Sequence, residues 1–319
     1  MKKIAVLTTG GDAPGMNPAI RAVVRYGISK GLEVVGVFRG WWGLINEELK
    51  VMDHRSVSGI INQGGTVLKT ARCPEFKTKE GQDRAYNTVK KYAIDGLIVI
   101  GGNGSFTAAH NFGVNYNVPC IGIPASIDND INGVDVTIGS DTAINTALQA
   151  IDNIRDTATS MERIFVVEVM GRDSGFIALS VALAGGCEDV IIPERKYDIE
   201  EICHKIVNGN IRGKMSWIIV VAEGAASAKE IADKITEITG LETRAIVLGH
   251  VQRGGRPTAF SRELALGLGK AAVDCILKGE KDKAVGICCS KLVVISLEEA
   301  IAKKDMQVDV RHDLIKVLT

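Results

Sequence analysis

Three short turns in this sequence combine glycine or carboxylate residues with a preceding apolar run. They are TTGGDAPGMN at residues 8–17, GGNGS at residues 101–105 and PASIDND at residues 124–130. In the first two turns, glycines allow backbone N–H groups to approach an oxyanion without an intervening Cβ. A helix that starts after such a turn adds the positive end of its dipole. These two turns therefore predict phosphate binding, and the third supplies two carboxylates, Asp128 and Asp130.

Each turn has a plainer explanation when it is considered alone. A Gly-Gly pair after a strand is often only a tight turn, and Asp128 and Asp130 would equally shape an Asx-type turn. Dinucleotide binding is disfavoured, because Thr107 stands where G-x-G-x-x-G requires its third glycine. Pro124 ends the next strand, where an acidic ribose partner would be expected. The turns therefore have to be interpreted together.

Short apolar, β-branched runs alternate with helical patterns and position these turns. The predicted strands are 4–8, 33–37, 96–100, 120–124, 164–169, 190–192, 217–222 and 245–248. The predicted helices are 17–30, 81–92, 105–112, 142–159, 174–184, 199–208, 228–238 and 262–277. Runs that are apolar throughout are typical of strands buried on both faces, and their alternation with helices predicts an α/β fold with mostly parallel sheets. Ligands in such folds bind at the carboxyl ends of the strands, where the three turns lie.

Composition and charge exclude several classes of function. The 38 basic and 38 acidic residues give a net charge of +0, so no chain-wide field favours nucleic acid or a membrane surface. The apolar run after Met1-Lys2-Lys3 is too short for a signal peptide, and no run reaches membrane-spanning length. The 7 cysteines are odd in number and contain no C-x-x-C, which fits a reducing compartment. We therefore predict a cytoplasmic protein that binds neither nucleic acid nor membranes, with Cys288 and Cys289 packed in the interior.

Further motifs accompany the three turns in a fixed order. They are TARCPEFK at 70–77, RDTATS at 155–160, VEVMGR at 167–172, AEG at 222–224 and ETRAIVLGHVQRGG at 242–255. Together with the turns, they resemble the bacterial ATP-dependent 6-phosphofructokinase family over nearly the whole chain. The GGNGS-type turn alone is shared with NAD kinases and some lipid kinases, so the combination carries the resemblance. It implies transfer of the γ-phosphoryl group of ATP to the 1-hydroxyl of fructose 6-phosphate, a glycolytic step, with Mg²⁺ as cofactor.

The length of 319 residues, about twice that of a typical domain, favours two domains. We expect two Rossmann-like, three-layer lobes with an active-site cleft between them, and a boundary near Gly139. The resemblance implies a larger, nucleotide-binding lobe of residues 1–138 plus about 251–300, and a smaller, sugar-phosphate-binding lobe of residues 139–250 plus about 301–319. It also implies a homotetramer, in which Arg163 and Arg244 reach the neighbouring subunit's site.

The resemblance assigns catalytic roles to four residues. Asp128 would take the proton of the sugar hydroxyl group. The backbone N–H of Gly11 and the guanidinium of Arg72 would stabilise the moving phosphoryl group, and Arg172 would lie close to the reacting groups. The residues implied in ATP binding are Gly11, Arg72, Cys73, Phe76, Lys77, Gly102, Asn103, Gly104 and Ser105. The small Gly104, and the absence of lysine from PASIDND, favour ATP over pyrophosphate.

Guanidinium groups grip a sugar phosphate bidentately, and the motifs supply several of them. Considered alone, Arg72 would be a surface ion-pair partner and His250 a structural hydrogen-bonding residue; their motifs favour ligand contact instead. The residues implied in substrate binding are Ser126, Asp128, Asp130, Arg163, Met170, Gly171, Arg172, Glu223, Arg244, His250 and Arg253.

A second anion site is indicated by Arg21 and Arg25, one helical turn apart. Like charges at this spacing repel by ~0.2–0.5 kcal/mol, a cost that a bound anion would relieve, although a solvated basic face explains them equally well. The resemblance implies an effector site for ADP or phosphoenolpyruvate, formed by Arg21, Arg25, Arg55, Arg155, Glu188, Arg212 and Lys214. Gly59 and Met215 replace the usual Asp and Lys of the family, so we expect weakened or altered effector control.

Asn103 is the main departure from the family pattern, which has Asp near the catalytic metal. An amide oxygen coordinates Mg²⁺ weakly and contributes no negative charge, whereas Mg²⁺ prefers carboxylate and phosphate oxygens. Asn103 is therefore predicted to be a weak metal ligand. Two alternatives to an active ATP-dependent kinase remain: a regulatory or low-activity paralogue that binds sugar phosphate, and a pyrophosphate-dependent phosphofructokinase.

Overall fold

The computed structural model describes residues 2–306 and 308–318. The strands are β1 (Lys3–Thr8), β2 (Glu33–Val37), β3 (Leu49–Met52), β4 (Gly96–Gly101), β5 (Cys120–Ser126), β6 (Ile138–Gly139), β7 (Ile164–Val169), β8 (Asp189–Ile191), β9 (Trp217–Ala222), β10 (Thr243–Val247), β11 (Lys283–Cys288) and β12 (Lys291–Ser296). The helices are α1 (Met16–Ser29), α2 (Trp41–Ile45), α3 (Lys79–Lys91), α4 (Asn103–Tyr116), α5 (Ser140–Met161), α6 (Phe176–Ala184), α7 (Ile199–Ile211), α8 (Ala228–Thr239), α9 (Ala259–Leu277), α10 (Leu297–Ile301) and α11 (Val308–Leu318). Two 3₁₀ turns lie at Pro74–Lys77 and Gly249–Arg253.

The chain divides into two compact units. The first unit contains the chain up to Thr142 together with Arg253–Lys304. The second unit contains Ala143–Gln252 and the chain from Asp305 onward. That the first unit binds nucleotide and the second binds sugar phosphate stays a prediction.

The sheet of the first unit brings the three predicted turns to one edge. Its described strands follow the order β12-β11-β5-β4-β1-β2-β3, and β6 pairs with β5. Strands β1, β4 and β5 are parallel neighbours, with Thr8 opposite Ile100 and Gly101 opposite Pro124. Because parallel neighbours end at the same edge of a sheet, the turns that follow these three strands lie side by side.

The sheet of the second unit is smaller and parallel throughout its described part. Its strands follow the order β10-β7-β9-β8. Strand β7 pairs with β9 from Ile164 opposite Trp217 to Val169 opposite Ala222. The segments after Val169 and after Ala222, which carry the MGR and AEG motifs, therefore leave the sheet next to each other.

The prediction of an α/β fold with mostly parallel sheets is confirmed. Strands β4 and β9 are buried along their whole length, as expected of continuous apolar runs. The sequence analysis did not predict β3 or β12, which pair antiparallel at the two ends of the larger sheet. Their burial is only partial: Lys50 interrupts the apolar run of β3, and Lys291 is the first residue of β12.

The expected burial of Cys288 and Cys289 is wrong. Cys288 is partly exposed at the end of β11, and Cys289 is exposed in the tight turn that leads into β12. Cys289 and Ser290 both have positive φ, the conformation of a two-residue hairpin turn.

No helix within residues 2–306 and 308–318 is long and apolar enough to cross a membrane.

Candidate active site

The first two turns are fastened to each other at the edge of the larger sheet. The buried Ser105 hydroxyl donates to the Thr9 carbonyl at 3.0 Å, and the Thr9 amide donates to the Ile100 carbonyl at 3.0 Å. A Cβ on Gly101 would lie 2.5 Å from both the Ser105 Oγ and the Thr9 carbonyl oxygen. Only glycine therefore allows this close packing of the two turns.

Helices α1 and α4 begin at these turns with glycine at the N-cap. Gly15 and Gly102 occupy the N-cap positions, and neither makes a side-chain capping hydrogen bond. Side chains do cap helices elsewhere, namely Thr78 at α3, Asp198 at α7, Ser227 at α8 and Thr258 at α9. The first-turn N–H groups of α1 and α4 thus lack a side-chain acceptor, the arrangement in which a helix terminus binds phosphate.

Arg253 places positive charge beside the first turn. Its Nη1 donates to the Asp12 carbonyl at 3.1 Å, and a Cβ on Gly11 would lie 2.6 Å from the same nitrogen. The structure therefore brings together Gly11 and Arg253, which are far apart in sequence. Both belong to the first unit, although Arg253 was predicted to contact the sugar phosphate.

Asp12 and Asn17 hold the segment that leads to Arg72, a role the sequence analysis missed. The Asn17 amide donates to the carbonyls of Gln63, Gly64 and Gly65 and accepts from the Val67 amide at 2.8 Å. Asp12 accepts from the Thr66 amide at 3.2 Å. Both residues lie in the quoted GGDAPGMN motif, but nothing local to the motif points to residues 63–67.

Arg72 and Lys77 are exposed, whereas Phe76 between them is buried. Phe76 is 3 % exposed and stacks on Trp41, with the ring centroids 4.2 Å apart. Burial raises the pKa of the Cys73 thiol, which disfavours the thiolate, and the side chain packs against the core cluster that contains Phe76. The guanidinium of Arg72 makes no hydrogen bond or ion pair within the described chain.

The third turn lies next to the second and presents Asp128. A Cβ on Gly102 would lie 3.5 Å from the Ser126 Cβ, and the Ser126 hydroxyl accepts from the Asp128 amide at 3.3 Å. Asp128 and Asp130 are both partly buried. The Asp130 Oδ1 atom is buried with no hydrogen-bond partner in the described residues, so its capacity to accept a hydrogen bond or bind a cation is unused there.

The donor set beside these turns suits Mg²⁺ that is held mainly by a nucleotide. The described residues contain no cluster of three or more His, Cys, Asp or Glu side chains arranged to bind a metal. Asn103 begins α4, and its Oδ1 lies 3.5 Å from the Thr107 hydroxyl, a weak contact. Mg²⁺ commonly uses one or two protein oxygens together with substrate phosphates. The orphaned Asp130 oxygen and the Asn103 amide fit that pattern.

In the second unit, the motif segments after β7 and β9 pack against each other. The Glu223 amide donates to the Val169 carbonyl at 2.9 Å, and the Gly224 amide donates to the Gly171 carbonyl at 3.0 Å. Gly171 has φ 137°, which disfavours any side chain there. Met170 is buried, whereas Arg172 and Glu223 are exposed. Of the predicted sugar-binding residues, these four are therefore brought together.

The two predicted phosphate-binding arginines of the second unit share one carboxylate. The Arg163 Nε lies 3.1 Å from the Glu242 Oε2, and Arg244 contacts the Glu242 Oε1. His250 is exposed on the 3₁₀ turn after β10. Glu242 was quoted in the motif but given no role by the sequence analysis.

The predicted effector residues fall into two groups. In the first unit, Arg21 donates to the Val57 carbonyl at 2.7 Å, and its pKa is lowered, chiefly by burial and further by the charge of Arg25. In the second unit, the buried Glu188 carboxylate lies 3.2 Å from the Lys214 Nζ and 3.9 Å from the Arg155 Nη1. Arg55 and Arg212 are exposed.

Known proteins share the sequence and the fold of this chain. The family described as Phosphofructokinase matches residues 3–276. A curated ATP-dependent 6-phosphofructokinase of Thermotoga neapolitana is 53% identical over 304 residues, covering 95% of each chain. That of Clostridium botulinum strain Hall is 49% identical over 322 residues, covering 100% of each chain. The solved structure of phosphofructokinase from Saccharomyces cerevisiae superposes with a TM-score of 0.90 at 37% identity; it covers 94% of this chain, which spans only 45% of the yeast chain. The chain belongs to the phosphofructokinase family.

Proposed function

We propose that this chain transfers the γ-phosphoryl group of ATP to the 1-hydroxyl of fructose 6-phosphate. The observation that carries the proposal is the sheet edge where two uncapped helix N-termini and the Asp128 turn lie side by side. It supplies backbone donors for phosphates next to a carboxylate that can accept a proton. Bacterial relatives named ATP-dependent 6-phosphofructokinase match 95% to 100% of the chain, which supports ATP over pyrophosphate as donor.

In this mechanism Asp128 accepts the proton of the sugar hydroxyl as that oxygen attacks the γ-phosphorus. The backbone N–H of Gly11 and the guanidinium of Arg72 stabilise the charge that develops on the transferring group. The exposed guanidinium of Arg72, without another partner in the described chain, is free to take this role. Mg²⁺, when bound through Asn103 and Asp130, would neutralise phosphate charge.

Contacts with the 6-phosphate group are proposed for Arg163, Arg244, His250 and Arg253. Arg163 and Arg244 would exchange their shared carboxylate for the 6-phosphate group, because a dianionic phosphate attracts two guanidinium groups more strongly. Met170, Gly171, Arg172 and Glu223 would contact the sugar. Assembly into a homotetramer and a cytoplasmic location stay predictions from the resemblance and from the cysteine content.

Steady-state kinetics with fructose 6-phosphate and ATP, GTP or pyrophosphate test this proposal, over Mg²⁺ and Mn²⁺ concentrations. We expect turnover with ATP, and a fall in kcat of about 10²–10⁴-fold for Asp128→Asn with little change in KM. The exposed Asp233→Asn serves as the matched control. Binding of fructose 6-phosphate without turnover from any donor would instead support a regulatory paralogue.

Effector control is proposed to be weaker than in the family. Met215 is 38% exposed, and Gly59 has φ 70°, where a side chain is disfavoured. Neither residue offers the charge that the family usually has at these positions. Titration of activity with ADP and phosphoenolpyruvate tests this, and full responses to both would contradict it.

A further inference from the structure

The turn that carries Asp128 is closed on itself by a neighbouring side chain. Asn129 is 2 % exposed, has a left-handed φ of 51°, and donates from its amide to the Asp135 carbonyl at 2.9 Å. This bond ties the start of the segment to its end. Asparagine is one of the few non-glycine residues that visit this region of φ, and the Asn129 side chain is anchored there by its bond to Asp135.

Lys304, the last residue of the first unit, closes the same turn with two further hydrogen bonds. Its ammonium donates to the Asn129 carbonyl at 3.0 Å and to the Val134 carbonyl at 2.8 Å. Lys304 is 175 residues from Asn129 in sequence. The first of these carbonyls belongs to Asn129, which directly follows Asp128. This hydrogen bond is therefore formed one residue away from the proposed base.

The surroundings of Lys304 are both buried and acidic. Burial lowers the pKa of the Lys304 ammonium, while the charges of Asp135 and Asp130 act in the opposite direction. In addition to its two hydrogen bonds, the side chain therefore supplies positive charge to a turn that contains the carboxylates of Asp128, Asp130 and Asp135. The adjacent Lys303 is exposed and makes no such bond in the described chain.

We propose that Lys304 is a positioning residue for catalysis, which holds the turn of residues 128–135 so that the carboxylate of Asp128 meets the sugar hydroxyl. This inference rests on the proposed function, because it assigns the turn to the reacting centre. An ammonium group suits the task, since its donors reach two carbonyls at once while its charge offsets the neighbouring carboxylates. Misplacement of a reacting group by about 1 Å costs about 10²-fold in rate.

The test compares Lys304→Met with the matched control Lys303→Met and with the conservative variant Lys304→Arg. For Lys304→Met we expect kcat to fall by about 10²-fold, with KM for ATP and fructose 6-phosphate changed by less than about threefold. Lys304→Arg should recover about a tenth or more of the wild-type kcat, because its donors and charge are retained. Lys303→Met should match the wild type.

Amide hydrogen exchange across residues 127–135 provides a readout that does not depend on turnover. Lys304→Met should exchange faster in this segment than Lys303→Met, while segments elsewhere in the first unit stay unchanged. Equal kcat for the two methionine variants, or equal exchange in the segment, overturns the proposal. If Lys304→Met does not fold, Lys304→Gln replaces it. A wild-type kcat in Lys304→Gln would likewise overturn the proposal. Absence of turnover in the wild type would refute the proposed function, whereas the exchange comparison would still decide whether Lys304 holds the turn.

Discussion

Arg163 forms an ion pair with Glu242, with its Nε 3.1 Å from the Oε2 of the carboxylate. The other carboxylate oxygen contacts Arg244. The two arginines proposed to bind the sugar phosphate are therefore already gathered around one negative group. A phosphate that binds between them has to displace this internal anion, so Glu242 both assembles the arginines and competes with the substrate.

We predict that Glu242→Gln lowers KM for fructose 6-phosphate by about two- to fivefold, with kcat little changed. Partly exposed ion pairs contribute ~0.2–1 kcal/mol, and removing a competitor of that strength yields a change of this size. Steady-state kinetics against the exposed Glu237→Gln as control measure it. A higher KM in Glu242→Gln would mean that orientation of the arginines outweighs competition.

Asn103→Asp should raise kcat by about tenfold and lower the Mg²⁺ concentration for half-maximal rate. The reason is that a carboxylate adds the negative charge that the amide lacks, at a position that begins α4 beside the Asp128 turn. Asn111→Asp, exposed on the same helix, is the matched control. If both variants leave the Mg²⁺ dependence unchanged, position 103 does not contact the metal.

The parts of the fold that could be predicted from sequence are those governed by continuous apolar runs. The predicted bounds of β2, β7 and β9 match the observed ones, because these runs are apolar and buried over nearly their whole length. The β11–β12 hairpin escaped prediction, because β12 lies at the end of the sheet with partly exposed residues. That miss also explains why Cys288 and Cys289 were expected to be buried.

The motifs placed the candidate site residues on strand ends, but they could not show which side chains hold them. The pairs Lys304–Asn129 and Asp12–Thr66 join segments that lie far apart in sequence. No local pattern marks Lys304, and nothing in the motif around Asp12 points to Thr66 as the donor to its carboxylate. Such contacts depend on tertiary placement, and they are visible only after the strands are assembled.

Ser105→Ala should lower the free energy of unfolding by about 1–3 kcal/mol. The Ser105 hydroxyl donates to the Thr9 carbonyl inside the buried joint between two turns, so the alanine leaves that acceptor without its partner. Denaturant unfolding of the variant measures the loss. Ser160→Ala removes a comparable hydroxyl-to-carbonyl bond of 3.2 Å at an exposed position and should change stability little. Equal effects of the two substitutions would contradict the importance of burial.

Stability should fall in acid partly because of His312 on α11. This side chain is 7 % exposed, and its buried Nδ1 has no hydrogen-bond partner in the described chain, since Asp313 lies 4.0 Å away. Its pKa is lowered by burial first and then by the charge of Arg195; Lys316 also lowers it, whereas Asp189 and Asp313 act in the opposite direction.

The sign of the pH dependence follows from which state binds the proton first. An unfolded histidine takes up a proton as pH falls through about 6.5, whereas folded His312 resists it, so the unfolded state binds more protons there. Neutral His312 therefore makes its full contribution to the free energy of unfolding above that pH. The contribution is lost as the pH falls further. His312→Gln should lose less stability than the wild type between about pH 8 and pH 5 in denaturant unfolding, because glutamine does not titrate. The exposed His204→Gln should keep the wild-type slope, and an unchanged slope in His312→Gln would show that other groups govern acid unfolding.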